Sequence, residues 1–133
     1  MTNNYSTATV SPELPASLFS GPEIESLTFA CGITCERIGD LLYFVAEDSF
    51  FEEGEDEDEN QINCTALFQA KLNLLDPLSF PHIVIEGAAT CSKMRQGEFG
   101  GFAYFISRDE VKFMSTWQWL IETEIALKKG AAV

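Results

Sequence analysis

The sequence has few of the residues that hydrolytic enzymes and zinc sites require. It holds one histidine, His82, and four cysteines, no two of which are separated by only two residues. Ser–His–Asp and Cys–His catalysis both need a histidine beside a nucleophile, so neither is supported. Zinc sites draw on closely spaced cysteines and histidines, and their absence favours reduced, mostly buried thiols. The sequence predicts that the protein is not an enzyme.

Positive charge is equally scarce. Eight Lys and Arg residues stand against 21 Asp and Glu, for a formal net charge of −13. Such a charge repels nucleic-acid phosphates and anionic membranes, and it favours cations or a basic partner protein. No run of about 18 apolar residues occurs, and the start of the chain lacks the basic and apolar regions of a signal peptide. We therefore expect a cytoplasmic protein with no nucleic-acid or membrane partner.

Apolar periodicity predicts an α+β fold. With 133 residues, 46% of them hydrophobic, the chain 1–133 suits a single domain. Residues 1–22 hold three of the five prolines and predict an extended N-terminal arm with at most one short helical turn. Alternating or compact apolar runs predict five strands, at 27–35, 41–46, 68–74, 82–86 and 102–106. The first two strands should form a hairpin around Gly39 and Asp40.

The C-terminal segment predicts one long helix. Ser107 and Glu110 have the spacing of a capping box. The residues that recur at helical spacing after it are Val111, Met114, Trp117, Leu120, Ile121 and Ile125. The expected fold is therefore an antiparallel β-meander of about five strands packed against one long C-terminal helix.

The acidic loop 47–61 is the most unusual segment. Seven carboxylates occur in the eight residues 52–59, and no Lys or Arg lies among them. At a spacing of roughly 6 Å in water, each pair of like charges costs about 0.7 kcal/mol, which a bound cation would relieve. Calcium accepts about six to eight oxygen ligands in loose geometry, so the loop predicts a calcium site. Its candidate ligands are Asp40, Asp48, Glu52, Glu53, Glu55, Asp56, Glu57, Asp58 and Glu59.

This site does not match an EF-hand. Asp56, Asp58 and Asn60 fit its first, third and fifth ligand positions, but Gln61 replaces the required glycine and Leu67 the required glutamate. Two alternatives stay open. In the first, the run is a solubilising loop that binds any cation weakly. In the second, it is the acidic surface of an interaction module or DNA mimic that binds a basic partner protein. Concentration of the charge in one loop counts against a mimic, which needs carboxylates spread over a folded face.

The length, the low pI and the run from Glu52 to Glu59, without an EF-hand, resemble the small acidic calcium-binding proteins of cyanobacteria, the CcbP type. This resemblance implies a cytosolic calcium buffer that takes part in calcium signalling during heterocyst differentiation. It also implies that the carboxylates hold and release the ion without a large conformational switch.

Overall fold

A computed structural model describes residues 4–91 and 99–131 of the chain. The strands within these ranges are β1 (Asn4–Pro15), β2 (Thr34–Ile38), β3 (Leu41–Ala46), β4 (Glu53–Glu55), β5 (Gln61–Asn63), β6 (Ile83–Cys91), β7 (Gly100–Ile106) and β8 (Val111–Ser115). The α-helices are α1 (Gly21–Cys31), α2 (Cys64–Leu72) and α3 (Thr116–Ala131), and a 3₁₀ turn spans Ala16–Leu18.

Six of the strands form one antiparallel sheet in the order β2-β3-β1-β6-β7-β8, and β4 and β5 form a separate hairpin. The α+β class and the antiparallel sheet are confirmed. The described residues contain eight strands rather than about five. Because β1 lies between β3 and β6, the sheet is not a simple meander.

The N-terminal segment is extended and followed by one short helical turn, as predicted, but it is not a peripheral arm. As β1 it pairs with β3 on one side and β6 on the other. Its proline content misled the prediction, because proline removes a ladder hydrogen bond and is rare in central strands. Pro12 is accommodated where pairing with β3 shifts register between Val10 and Leu14, beyond the last β6 pair at Ser11.

The predicted strand at 27–35 is wrong over its first five residues, which belong to α1. Ser20 caps this helix: its Oγ accepts from the Glu23 amide at 3.3 Å, and the Glu23 carboxylate accepts from the Ser20 amide at 2.8 Å. The helix ends at Gly32, whose φ of 72° is the left-handed conformation that glycine adopts without strain. The predicted hairpin around Gly39 and Asp40 is confirmed as β2–β3.

The predicted strand at 68–74 is also wrong, because most of it forms α2. Asn63 caps this helix by accepting from the Ala66 amide at 3.0 Å. Helices α1 and α2 pack with one face of the sheet in a single buried core. At its centre the Phe44 ring lies 4.9 Å from Phe19 and 5.3 Å from Phe68, in tilted and edge-on contacts.

The strands predicted at 82–86 and 102–106 are confirmed as parts of β6 and β7, but the long helix begins later than expected. Ser107 and Glu110 close the β7–β8 turn, where the Ser107 amide donates to the Glu110 carbonyl at 2.9 Å. Val111 and Met114 lie in β8. Helix α3 does not cover the sheet: its described side chains are all exposed. No helix in the described ranges is long and apolar enough to cross a membrane.

Candidate functional site: the acidic hairpin

The acidic run folds into an ordered structure. We call residues 52–63, which comprise β4, a turn and β5, the acidic hairpin. Its register pairs Glu53 with Asn63 and Glu55 with Gln61. Gly54 lies so close to the Ala30 carbonyl that a Cβ atom there would overlap it. The predicted loop is thus a hairpin held against the end of α1, while most of its carboxylates remain exposed to solvent.

The carboxylate of Asp56 organises the turn of the hairpin. Its Oδ1 accepts from the Asp58 amide at 2.9 Å and the Asn60 amide at 2.8 Å, and its Oδ2 accepts from the Asn60 side chain at 3.3 Å. These bonds hold the pKa of Asp56 below its usual value, and the bond from the Asn60 amide lowers it most. Glu59 takes a left-handed φ of 64°, as in three-residue hairpin loops. Strands β4 and β5 flank this turn, which agrees with the exclusion of an EF-hand.

Helix α1 and the turn of the hairpin border a small half-open cavity, which we call the acidic cleft. Its volume is about 90 Å³, and it is lined by Pro22, Glu25, Ser26, Phe29, Asp56, Glu57 and Asp58. No Lys or Arg of the described ranges belongs to this lining. Glu25 was not among the predicted ligands. It lines the cleft because its segment is helical, whereas the sequence predicted a strand beginning at residue 27.

Glu52 lies on another side of the hairpin. It is half-buried, and its carboxylate lies 3.4 Å from the Thr65 hydroxyl, which donates to Asn63 Oδ1 at 2.7 Å. Burial is the main cause that raises the pKa of Tyr104 to about 12, and the nearby charge of Glu52 adds to it. Glu53, Glu55 and Glu59 are exposed and lie outside the lining of the acidic cleft.

Asp40 and Asp48 lie at opposite ends of β3. The six-residue strand separates them by roughly 20 Å, at about 3.3 Å per residue, so one ion cannot contact both. Asp40 is exposed in the β2–β3 turn, 4.0 Å from Arg37. The Asp48 backbone carbonyl accepts from the Ser6 amide at 3.0 Å. Neither residue lines the acidic cleft.

The donor chemistry of the acidic cleft fits calcium, since its polar side chains offer only carboxylate and hydroxyl oxygens. Within residues 4–91 and 99–131, however, no three His, Cys, Asp or Glu side chains are placed closely enough to share a metal ion. Binding in the cleft would therefore require the exposed carboxylates to rotate inward.

No protein-family model, curated protein or solved structure matches this chain.

Proposed function

We propose that this protein is a non-EF-hand calcium-binding protein whose ion site is the acidic cleft. The observation that supports the proposal is the shared lining of the cleft by Glu25 from α1 and by Glu57 and Asp58 from the hairpin turn. The fold thus adds a helix-borne carboxylate to those of the acidic run. A helix-borne ligand loses less entropy on binding than one in an unstructured loop.

The expected affinity is micromolar to sub-millimolar. Crowded negative charge favours the ion, whereas the inward rotation of exposed carboxylates opposes it. Magnesium should compete poorly, because it keeps most of its water shell and demands stricter geometry. These properties suit a cytoplasmic calcium buffer, and the resemblance to CcbP-type proteins extends the proposal to calcium signalling in cell differentiation.

Calcium titration by calorimetry, in excess magnesium, tests the proposal. The informative variant combines Glu25→Gln, Glu57→Gln and Asp58→Asn. Asp56 stays unchanged, because its hydrogen bonds hold the turn together. Affinity should fall at least about tenfold, or about 1.4 kcal/mol, through the loss of strong oxygen ligands.

The control removes the same charge elsewhere, with Glu13→Gln, Glu86→Gln and Glu110→Gln, and should bind calcium nearly as the wild type does. Equal losses in the two triple variants would mean that only the net charge attracts the ion. Wild-type protein that gives no heat at millimolar calcium would overturn the proposal. A basic protein that binds the wild type, and loses affinity only for the cleft variant, would favour the interaction-module alternative.

A further inference from the structure

Helix α3 exposes an apolar stripe at its surface. Its 16 residues follow β8, and it contacts β7 and β8. Trp117, Leu120, Ile121 and Ile125 recur at helical spacing, with between 38 and 64% of each side chain exposed. An isolated helix of this length is marginal in water, and contiguous exposed apolar surface marks an interaction site. We therefore expect another surface to cover this stripe.

The same chain also has an apolar groove beside the start of α3. We call it the aromatic groove. Its volume is about 860 Å³, and Phe51, Phe102, Phe113 and Trp117 belong to its lining. Among the residues that the structure describes, the charged ones in that lining are Glu52 and Glu53. Helix α3 carries Lys128 and Lys129 in its last turn. An apolar helix with a basic end therefore complements an apolar groove with an acidic wall.

Within one chain, Thr116 and Trp117 at the start of α3 line the groove, and no later described residue of the helix does. Strand β8 ends at Ser115 and α3 begins at Thr116, so no loop lies between them. The Ser115 hydroxyl accepts from the Gln118 amide at 3.1 Å, which fixes the direction in which the helix leaves the strand. Reversal of the remaining helix over the sheet would need a connection of about two to six residues.

We propose that two copies of this chain form a dimer in which the apolar stripe of each α3 occupies the aromatic groove of the other copy. The contact is reciprocal, as a two-fold axis requires. The stripe offers on the order of 400 Å² of apolar surface, against about 800 Å² per partner in a standard interface, and the groove adds its own aromatic area. The acidic cleft lies outside this interface, so the proposal is independent of calcium binding.

Sedimentation velocity over a range of micromolar concentrations tests the dimer. Wild-type protein should shift from monomer to dimer as its concentration rises. Leu120→Glu on the helix and Phe51→Glu in the groove should each weaken association at least about a hundredfold, because each places a charge in a desolvated contact twice per dimer. Leu78→Glu, at a leucine that is 94% exposed outside both surfaces, is the matched control and should leave the dimer intact.

Mixing the two impaired variants sharpens the test. The Phe51→Glu copy keeps a normal helix and the Leu120→Glu copy a normal groove, so the mixture should regain one of the two contacts and form a heterodimer. Wild-type protein that stays monomeric throughout would overturn the proposal. A Phe51→Glu variant that dimerises normally would also overturn it. So would wild-type protein that does not dimerise but binds an added basic amphipathic peptide.

Discussion

The thiols of Cys31 and Cys64 donate to the backbone carbonyls of two consecutive residues at the start of the acidic hairpin. Cys31 is the last residue of α1 and Cys64 the first of α2, and both are fully buried. The Cys31 thiol donates to the Glu52 carbonyl at 3.7 Å, and the Cys64 thiol to the Phe51 carbonyl at 4.0 Å. Two helix ends thus hold the start of the hairpin.

Burial should protect this pair from alkylation. In a Cys91→Ser background, Cys35, which is only half-buried, should react with a maleimide first. Cys31 and Cys64 should react at least about a hundredfold more slowly, since they become accessible only when the surrounding structure opens. The neighbouring Cys31 thiol, together with burial, also raises the pKa of Cys64 and so lowers its thiolate fraction. Mass spectrometry of timed samples measures the order, and equal rates at all three thiols would contradict the packing.

A second prediction concerns the ion pair that joins α1 to α2. Lys71 Nζ lies 2.8 Å from Glu23 Oε2, with 13% of the lysine side chain exposed. Lys71→Met should lower the free energy of unfolding by about 1 kcal/mol at pH 7. Lys112→Met, which removes an exposed partner of Glu110 at 3.5 Å, is the control and should cost much less. Urea unfolding measures both.

The effect of Lys71→Met should also depend on pH. The hydrogen bond from Lys71 holds the pKa of Glu23 below its usual value of 4.5. A lowered native pKa contributes stability that is complete above the unfolded value and is lost as the pH falls through the native one. The difference between wild type and Lys71→Met should therefore shrink below about pH 4. A difference that stays constant down to pH 3 would show that the charge pair is not its source.

The sequence predicted β3, β6 and β7 well, because compact apolar runs indicate strands without tertiary information. It failed where two interpretations of one pattern compete. Ser20–Glu23 and Ser107–Glu110 share the same spacing, yet only the first caps a helix. Pro22 distinguishes them, since proline favours the first helical turn and α1 has it there. The prediction instead assigned Pro22 to the extended N-terminal arm and residues 27–35 to a strand because of their alternation.

The candidate site was predictable as a charge run but not as a cleft. Asp56, Glu57 and Asp58 were identified from composition, and the structure places them together around the cavity. Glu25 lies more than 30 residues earlier, and only the packing of β4 on α1 brings it to the same cavity. Asp40 was included for its position near the end of a strand, but strand direction carries it away from the hairpin.

A third prediction tests how the hairpin is held. Gly54→Ala would place a Cβ atom against the Ala30 backbone, which cannot move aside as a flexible side chain could. The variant should lose about 1–3 kcal/mol of stability, the usual cost of overpacking. Gly21→Ala is the control: its Cβ meets nothing within 4 Å, so its stability should be unchanged or slightly higher. Guanidinium unfolding compares the two, and equal stabilities would mean that the hairpin is not seated on α1.

Calcium should raise the melting temperature of the wild type. A ligand that binds only the native state adds about 2.7 kcal/mol at a hundredfold excess over its Kd, or about 8 °C for a domain of this size. Sodium chloride at equal ionic strength should give a smaller rise, since it screens the carboxylates without bridging them. The Glu25→Gln, Glu57→Gln, Asp58→Asn variant binds at least about tenfold more weakly, so it should lose at least about half of the calcium-specific rise. Gly54→Ala keeps every carboxylate but displaces the hairpin, so it should also lose most of the calcium-specific rise. If Gly54→Ala kept the full rise while the charge variant lost it, the ion would bind the acidic run itself rather than the cleft that the run forms with α1.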